Sequence, residues 1–163
     1  MFTPRTLLLI CALGLAPVAA FSQGAKVALG GLKQDTTLPV EVTADELAVN
    51  QADGAATFSG NVLVIQGAMR MTAATVRVQY AADGKGIAQL NATGGVTYVN
   101  ATDAAEAAEA AYTIASGEMI LSGNVLLTQG QGAISGQKLV IDLKAGTGTM
   151  EGRVKTVFQP GGN

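Results

Sequence analysis

The sequence predicts an all-β protein assembled from about a dozen short antiparallel strands. Three observations lead to this prediction. A strand–turn–strand unit occurs twice, apolar and polar residues alternate with a period of two, and sustained helical patterns are almost absent. The chain has 21 glycines and only 13% charged residues, which is typical of many short strands joined by turns. A sandwich, a jelly roll or a stacked β-roll would satisfy this pattern.

The internal repeat is the strongest of these features. Ala44–Tyr80 aligns without a gap with Ala107–Leu143, 63 residues later, and twelve of the 37 aligned pairs are identical. Five identities are consecutive, reading Ser-Gly-Asn-Val-Leu at Ser59–Leu63 and Ser122–Leu126. The Gly-Asn pair in each run suits a bulge or a backbone with positive φ. A second repeated pair, Gln-Gly, follows at Gln66-Gly67 and Gln129-Gly130.

The first 20 residues indicate an export signal. Arg5 provides a positive start, Leu7–Leu15 is apolar, and Val18–Ala20 supplies the small residues that a signal peptidase needs. Cys11 lies inside the apolar stretch, and the residue before it, Ile10, is too large for a lipoprotein signal. We therefore expect residues 1–20 to be removed, together with the only cysteine.

The remaining chain divides into a lead, one domain and a tail. Residues 21–37 show no sustained period, so we expect a flexible lead. The domain spans residues 38–158, and its first strand is predicted at Leu38–Val42, with Pro39 near the start where a missing N–H matters least. Residues 159–163 contain Pro160 and two glycines and form a short tail.

Further strands follow in order along the domain. Phe58–Tyr80 and Ser116–Leu143 are the two repeat units, and two short strands are predicted between them, at Ile87–Leu90 and Gly95–Val99. The last strand is predicted at Gly152–Phe158. In every predicted strand, alternate residues share one face of the sheet.

The segment Ala104–Ala111 gives conflicting signals. Its Ala-Ala-Glu repeats favour a helix by intrinsic propensity, whereas the 63-residue register aligns it with a predicted strand. We expect a loop or a short helical turn near Asp103–Ala107, followed by a strand from about Ala110 to Ala115.

Composition excludes several classes of chemistry. Beyond residue 20 the chain has no Cys, His or Trp, which excludes a thiol nucleophile, a Ser-His-Asp triad and a His/Cys metal site. Nine Lys and Arg residues stand against twelve Asp and Glu residues, and no basic run suggests nucleic acid. We therefore expect neither a cofactor nor a metal.

One carboxylate pair, Asp45-Glu46, is a candidate for glycosidase chemistry. Its repeat partners are Ala108 and Glu109, so the pair is absent from the second copy. Both residues lie next to predicted turns, where acidic side chains are usually solvated. We expect a protein without enzymatic activity.

Strand parity predicts one apolar interior. A filled core is the ordinary interpretation, but the mixture of modest side chains with adaptable Met and no Trp leaves room for an apolar groove that binds a ligand. The predicted lining residues are Val40, Val42, Phe58, Val62, Val64, Met69, Met71, Val76, Val78, Tyr98, Tyr112, Ile114, Met119, Leu121, Val125 and Leu127.

Together, these motifs resemble the LptA/OstA-like family of periplasmic lipopolysaccharide-transport proteins. The resemblance covers residues 38–158 and rests on the motifs Pro39–Asp45, Phe58–Val62, Tyr112, Leu121–Val125 and Gly136–Leu139. It implies a twisted, open antiparallel β-jelly roll with a V-shaped section, in the periplasm and without catalysis.

The resemblance also implies a ligand and partners. Acyl chains of the lipid A part of lipopolysaccharide would lie in the interior. Copies would stack head to tail and meet an LptC-like inner-membrane protein at one end and an LptD-like outer-membrane protein at the other. The residues expected at the acyl chains are Val40, Val42, Phe58, Val62, Val64, Tyr98, Tyr112, Ile114, Leu121 and Val125.

Three alternatives stay open at this point. An LptC-like component of the same pathway would keep residues 1–20 as a membrane anchor. A secreted structural β-repeat protein would have a filled core and no lipid ligand. A sugar-active enzyme would depend on Asp45 or Glu46.

Overall fold

The computed structural model describes residues 25–28 and 30–158, so the predicted signal peptide and the tail lie outside the described residues. The described part contains one 3-10 turn, Gly30–Leu32, and eleven strands. The strands are β1 Ala25–Ala28, β2 Glu41–Thr43, β3 Glu46–Asn50, β4 Ala55–Gln66, β5 Met69–Tyr80, β6 Ile87–Asn100, β7 Asp103–Thr113, β8 Glu118–Gln129, β9 Gly132–Asp142, β10 Thr147–Glu151 and β11 Lys155–Phe158.

All the strands join one antiparallel sheet whose order follows the chain. Neighbours run β1-β10-β9-β8-β7-β6-β5-β4-β2, so the chain meanders from β2 to β10 while β1 pairs with the far edge. At one edge β2 and β3 both pair with β4, and at the other β10 and β11 both pair with β9. Each of these two pairs is therefore one strand interrupted once, and because β1 lies outside β10, the free edges are β2 and β3 on one side and β1 and β11 on the other.

A line of bulges crosses the sheet at the level of these interruptions. Two consecutive residues with positive φ occur in alternate strands, at Gly60-Asn61, Gly94-Gly95, Gly123-Asn124 and Gly152-Arg153. The strand register shifts at this level in the pairs from β4/β5 to β8/β9. Bulges bend strands and increase their twist, so the sheet folds along this line.

Glycine is required where the bulges bring neighbouring strands together. A Cβ at Gly94 would lie 2.5 Å from the Cβ of Ala74, and a Cβ at Gly123 would lie 2.6 Å from the Cβ of Ala108. Both contacts are far shorter than a van der Waals separation, so no side chain fits at either glycine without movement of the neighbouring strand.

The line of bulges divides the sheet into two half-sheets. The upper half-sheet ends in the hairpins at residues 51–54, 81–86, 114–117 and 143–146, and the lower half-sheet ends in those at 67–68, 101–102 and 130–131. Buried side chains from both halves form one cluster, which includes Leu90, Tyr112 and Leu139 above and Val64, Tyr98 and Leu127 below. The core therefore lies between the half-sheets, which form a folded-over, twisted jelly roll.

The sequence repeat corresponds to a repeated pair of strands. The bounds of β4, 55–66, become those of β8, 118–129, when 63 is added. The same shift moves β5 onto β9, which ends one residue earlier. The bulge falls at the Gly-Asn pair in both copies. The predictions of an all-β fold and of an open twisted jelly roll are both confirmed.

The expectation for Ala104–Ala111 is wrong. These residues lie within β7, a continuous strand paired with β6 and β8. Ala105 and Ala110 face the core, whereas Glu106 and Glu109 are exposed. The intrinsic preference of each of these residues for a helix is worth less than about 1 kcal/mol. Pairing with two neighbouring strands, β6 and β8, contributes more than this preference.

Strand lengths also differ from expectation. The two short strands predicted at Ile87–Leu90 and Gly95–Val99 are one 14-residue strand, β6, because Gly94-Gly95 forms a bulge and not a turn. The last strand, predicted at Gly152–Phe158, begins only at Lys155 as β11, because Gly152-Arg153 forms the same kind of bulge. The strand before this bulge, β10, lies outside the predicted range.

The predicted lead needs correction as well. Residues 25–28 pair with β10, and Leu32 is fully buried, so the described part of the lead is built into the fold. The first predicted strand is shorter than expected, since β2 begins at Glu41. No helix in the described residues has the length and apolar character needed to cross a membrane.

Candidate functional site

The interior between the half-sheets gathers all ten residues predicted at the acyl chains. Six are fully buried and four are partly buried against the same core cluster. The fully buried ones are Val62, Val64, Tyr98, Tyr112, Leu121 and Val125, and the partly buried ones are Val40, Val42, Phe58 and Ile114. Their shared interior position follows from strand parity. Contact with a lipid stays a prediction.

Cross-strand pairing explains why these residues meet. Phe58 lies opposite Leu47 on one side and Val76 on the other, so these three side chains share the inner face of the upper half-sheet. Polar residues between them, such as Thr57 and Arg77, point outward, and Arg77 pairs with Asp53 at 2.6 Å. Alternation thus gives one apolar face and one polar face.

Side chains fill the middle of this interior. Tyr98, Tyr112 and three methionines, Met69, Met71 and Met119, have no more than 1% of their surface exposed. Two surface pockets, of about 220 and 270 Å³, lie instead at the bulges, near Asn124 and Asn61. Among the described residues, these side chains therefore pack the middle of the interior.

The apolar inner face becomes exposed at both free edges of the sheet. On β3, Leu47 and Val49 share the inner parity with Phe58 and Ala56, yet they are 54% and 64% exposed. On β11, Thr156 lies opposite the buried Ile134 and so faces inward. Phe158, two residues later, lies on the same face and is 75% exposed. Inward-facing apolar side chains at each edge therefore have no layer covering them.

Polar groups lie inside one end of the roll. The Tyr112 hydroxyl, on the upper half-sheet, donates a hydrogen bond to Gln66 Oε1 on the lower half-sheet at 2.8 Å. The buried Asp103 accepts a hydrogen bond from Gln129 Nε2 at 3.2 Å. Within the described residues, the buried Tyr98 hydroxyl and Asn100 Nδ2 find no hydrogen-bond partner.

Burial controls the ionisation of both interior tyrosines. Desolvation of the phenolate raises the pKa of Tyr112 to about 12, and it raises the pKa of Tyr98 even further. Both hydroxyl groups therefore remain protonated, and so remain hydrogen-bond donors, throughout the physiological pH range.

An irregular segment closes the same end of the roll. It comprises residues 31–38, which we call the strap, and it runs from β1 at one edge of the sheet towards β2 at the other. The Gln34 N–H donates to the Leu143 carbonyl at 2.7 Å, and Gln34 Nε2 donates to the Gln66 carbonyl. Leu143 ends the upper half-sheet and Gln66 ends the lower one, so the strap joins the tips of both.

The carboxylate pair does not form a catalytic arrangement. Asp45 lies at the interruption between β2 and β3, where its Oδ2 accepts a hydrogen bond from Asn61 Nδ2 at 2.8 Å and its N–H donates to the Gly60 carbonyl. Glu46 is exposed on β3. Asp45 thus supports the bulge, and across residues 25–28 and 30–158 no three acidic side chains converge as metal ligands would.

Sequence reasoning missed the polar end of the interior. Gln66 and Gln129 belong to the repeated Gln-Gly pair, and each forms a hydrogen bond at the tip of the lower half-sheet. That repetition was a usable signal. Leu32 and Gln34 carried none, because a single leucine in an aperiodic segment does not reveal what it packs against.

The fold and the site define a class of protein: a twisted, open β-jelly roll with an apolar interior between two half-sheets and apolar side chains exposed at both edges. The chain belongs to the LptA/(LptD N-terminal domain) LPS transport protein family, which matches residues 41–147.

Two individual proteins are similar to this chain. An uncharacterized protein of Rhizobium meliloti is 24% identical over 173 residues, covering 98% of this chain and 93% of that protein. The crystal structure of LptH, the LptA-homologous periplasmic component of the lipopolysaccharide transport device of Pseudomonas aeruginosa, superimposes with a TM-score of 0.70. It is 21% identical, and the match covers 78% of this chain and 99% of LptH.

Proposed function

We propose that this protein carries lipopolysaccharide through the periplasm by holding its acyl chains against the apolar inner face of the roll. The observation that supports this most directly is the exposure of Leu47 and Val49 at one edge and of Phe158 at the other. An inner face that stays apolar to both ends suits a long apolar ligand passing from one molecule to the next.

The energetics fit this role. Removing one methylene from water stabilises by about 0.8 kcal/mol, so a twelve-carbon chain gains on the order of 10 kcal/mol in an apolar groove. The charged sugar and phosphate groups gain nothing from burial and would stay outside. The binding step needs no catalysis, and the energy for directional movement would come from a partner.

Partners would dock at the edges of the sheet. We propose that β2 and β3 at one edge and β11 at the other offer unpaired backbone groups for strand addition. An LptC-like inner-membrane protein, an LptD-like outer-membrane protein and further copies of this chain are the proposed occupants. Head-to-tail addition would continue the apolar inner face from one copy to the next.

Photocrosslinking in cells tests the proposed ligand. A photoreactive phenylalanine analogue replaces Leu47 or Phe58, whose side chains face inward, or Leu126, which is apolar and 39% exposed but outward-facing on β8. We expect lipopolysaccharide adducts at Leu47 and Phe58 and none at Leu126. Adducts at all three positions, or at Leu126 alone, would contradict the proposal, since the control has the same chemistry on the opposite face.

The closed core supports one competing function, that of a structural β-repeat protein. Its basis is the complete burial of Tyr98, Tyr112 and Leu121. Such a protein would export and fold normally but give no lipid adduct at Leu47 or Phe58.

A further inference from the structure

The strap, residues 31–38, closes the mouth between the two half-sheets with one apolar side chain. Leu32 has none of its surface exposed and belongs to the same core cluster as Tyr112 and Leu139. Unlike those residues, Leu32 is not on a strand, since it ends the 3-10 turn Gly30–Leu32. An irregular segment thus places a branched aliphatic side chain in an interior built mainly from strands.

Few polar contacts hold the strap on the described body of the roll. Besides the two hydrogen bonds of Gln34, the Gln66 side chain donates from Nε2 to the Thr36 carbonyl at 3.2 Å and to the Leu38 carbonyl at 2.8 Å. The same side chain accepts from Tyr112. Gln66 therefore joins the strap, the lower half-sheet and the upper half-sheet.

Neighbouring strands are held far more strongly than the strap. Between β4 and β5 ten residue pairs are in register, and the apolar face of each strand is buried. A segment with few hydrogen bonds and two buried side chains, Leu32 and Gln34, lies at the low-stability end of a fold and opens before the strands do.

We propose that the strap is a displaceable closure of the lipid-binding interior, in which Leu32 occupies the place that an acyl chain takes. This inference rests on the function proposed above. A leucine side chain and an acyl chain are both saturated hydrocarbon, so either can fill the site between the half-sheets. Entry of the chain expels Leu32, releases Gln34 and Gln66, and uncovers the polar end of the interior.

The uncovered end has donors ready for the polar groups of an acylated ligand. The Tyr98 hydroxyl and Asn100 Nδ2 lie near each other, yet neither has a hydrogen bond of good geometry with any described group, and an unpaired buried donor is costly. Ester and amide carbonyls, which join acyl chains to a sugar, are acceptors that would satisfy them. These donors are thus unpaired in the closed state and would be paired with ligand carbonyls in the loaded state.

A disulfide between the strap and β7 tests this proposal. A Cβ at Gly31 would lie 3.0 Å from the Asp103 side-chain carbon Cγ, a separation close to that between the Cβ of one cysteine and the sulfur of the other in a disulfide. The protein carries Gly31→Cys and Asp103→Cys, with Cys11→Ser to remove the other thiol. Its reduced form is the matched control for its oxidised form.

Binding of fluorescent lipopolysaccharide is measured for the unaltered protein and for both forms. We expect the oxidised form to bind the probe at least about tenfold more weakly than the reduced form, because its binding-competent state is no longer populated. Mass spectrometry of the thiols verifies the bond, and circular dichroism verifies the fold. Equal binding by the two forms would contradict the proposal that the strap is displaced, but it would not contradict the proposed function.

Absence of binding by the unaltered protein is a different result. It would overturn the proposed function, and the strap proposal with it. A second variant, Leu32→Ala, acts in the opposite direction. Because its closed state is weakened, we expect it to bind the same probe about tenfold more tightly. Unchanged or weaker binding by folded Leu32→Ala would contradict displacement.

Discussion

At the scale of single residues, two buried tyrosines have the same exposure but differ in their hydrogen bonding. Tyr98 and Tyr112 are both completely buried, but the Tyr112 hydroxyl donates a hydrogen bond to Gln66 Oε1, whereas the Tyr98 hydroxyl finds no partner within the described residues. Removing the Tyr112 hydroxyl would leave its buried acceptor unpaired, and the unpaired acceptor would destabilise the folded protein. Removing the Tyr98 hydroxyl would take away a group that is already unpaired and therefore already destabilising. The same chemical change should therefore have opposite consequences at the two positions.

We expect Tyr112→Phe to lower the free energy of unfolding by about 1–3 kcal/mol, because Gln66 Oε1 is left unsatisfied. Tyr98→Phe removes an unpaired hydroxyl, so we expect a change within about 0.5 kcal/mol or a small gain. Urea denaturation at neutral pH measures both. Equal losses in the two variants would show that the Tyr112–Gln66 hydrogen bond contributes nothing.

At the scale of elements, the bulges decide how the strands bend. Gly123 has a φ of +85°, and its backbone approaches Ala108 on β7 too closely for a side chain. Small residues on both strands are therefore needed where the sheet folds. This also accounts for Ala108, an alanine in a strand whose composition favours a helix.

We expect Gly123→Ala to destabilise the protein by about 2–4 kcal/mol, from the positive φ and the collision with Ala108 together. The control is Gly130→Ala, where φ is also positive but no atom lies within 4 Å, and we expect about 1 kcal/mol.

Adding Ala108→Gly to Gly123→Ala separates the two causes. Thermal unfolding of the single and double variants gives the coupling energy between the positions. A positive coupling, in which the second change restores part of the lost stability, identifies the collision. Additive losses would attribute the whole effect to backbone strain.

At the scale of the whole molecule, the two free edges are unequal and complementary. Leu47 and Val49 are exposed on the upper half-sheet at one edge, and Phe158 is exposed on the lower half-sheet at the other. Stacking of one copy on the next would bring an edge of each kind together and cover these side chains. The inner face would then extend across the junction.

We expect Phe158→Asp to weaken association between copies about 10- to 100-fold. The substitution removes one large apolar side chain that would be buried at the junction and places a charge there. The matched control is Val157→Asp, on the outward parity of the same strand and 52% exposed, which should have a smaller effect. Sedimentation equilibrium over a range of concentrations measures both. Equal effects of the two substitutions would argue against a continuous inner face.

The sequence by itself determined the fold class, the repeat and the parity of the strands. Alternation with a period of two is a local property, and the repeated Ser-Gly-Asn-Val-Leu run marks equivalent strands without reference to their neighbours. For this reason Val62 and Val125 were correctly predicted to face the interior.

Only the tertiary structure decided how that local information combines. Ala104–Ala111 becomes a strand because it lies between β6 and β8, and Gly94-Gly95 becomes a bulge because neighbouring strands also shift there. Leu32 is buried because the strap crosses from one half-sheet to the other. Each outcome depends on contacts between residues distant in the chain, whose free energies exceed the local preferences that a sequence pattern reports.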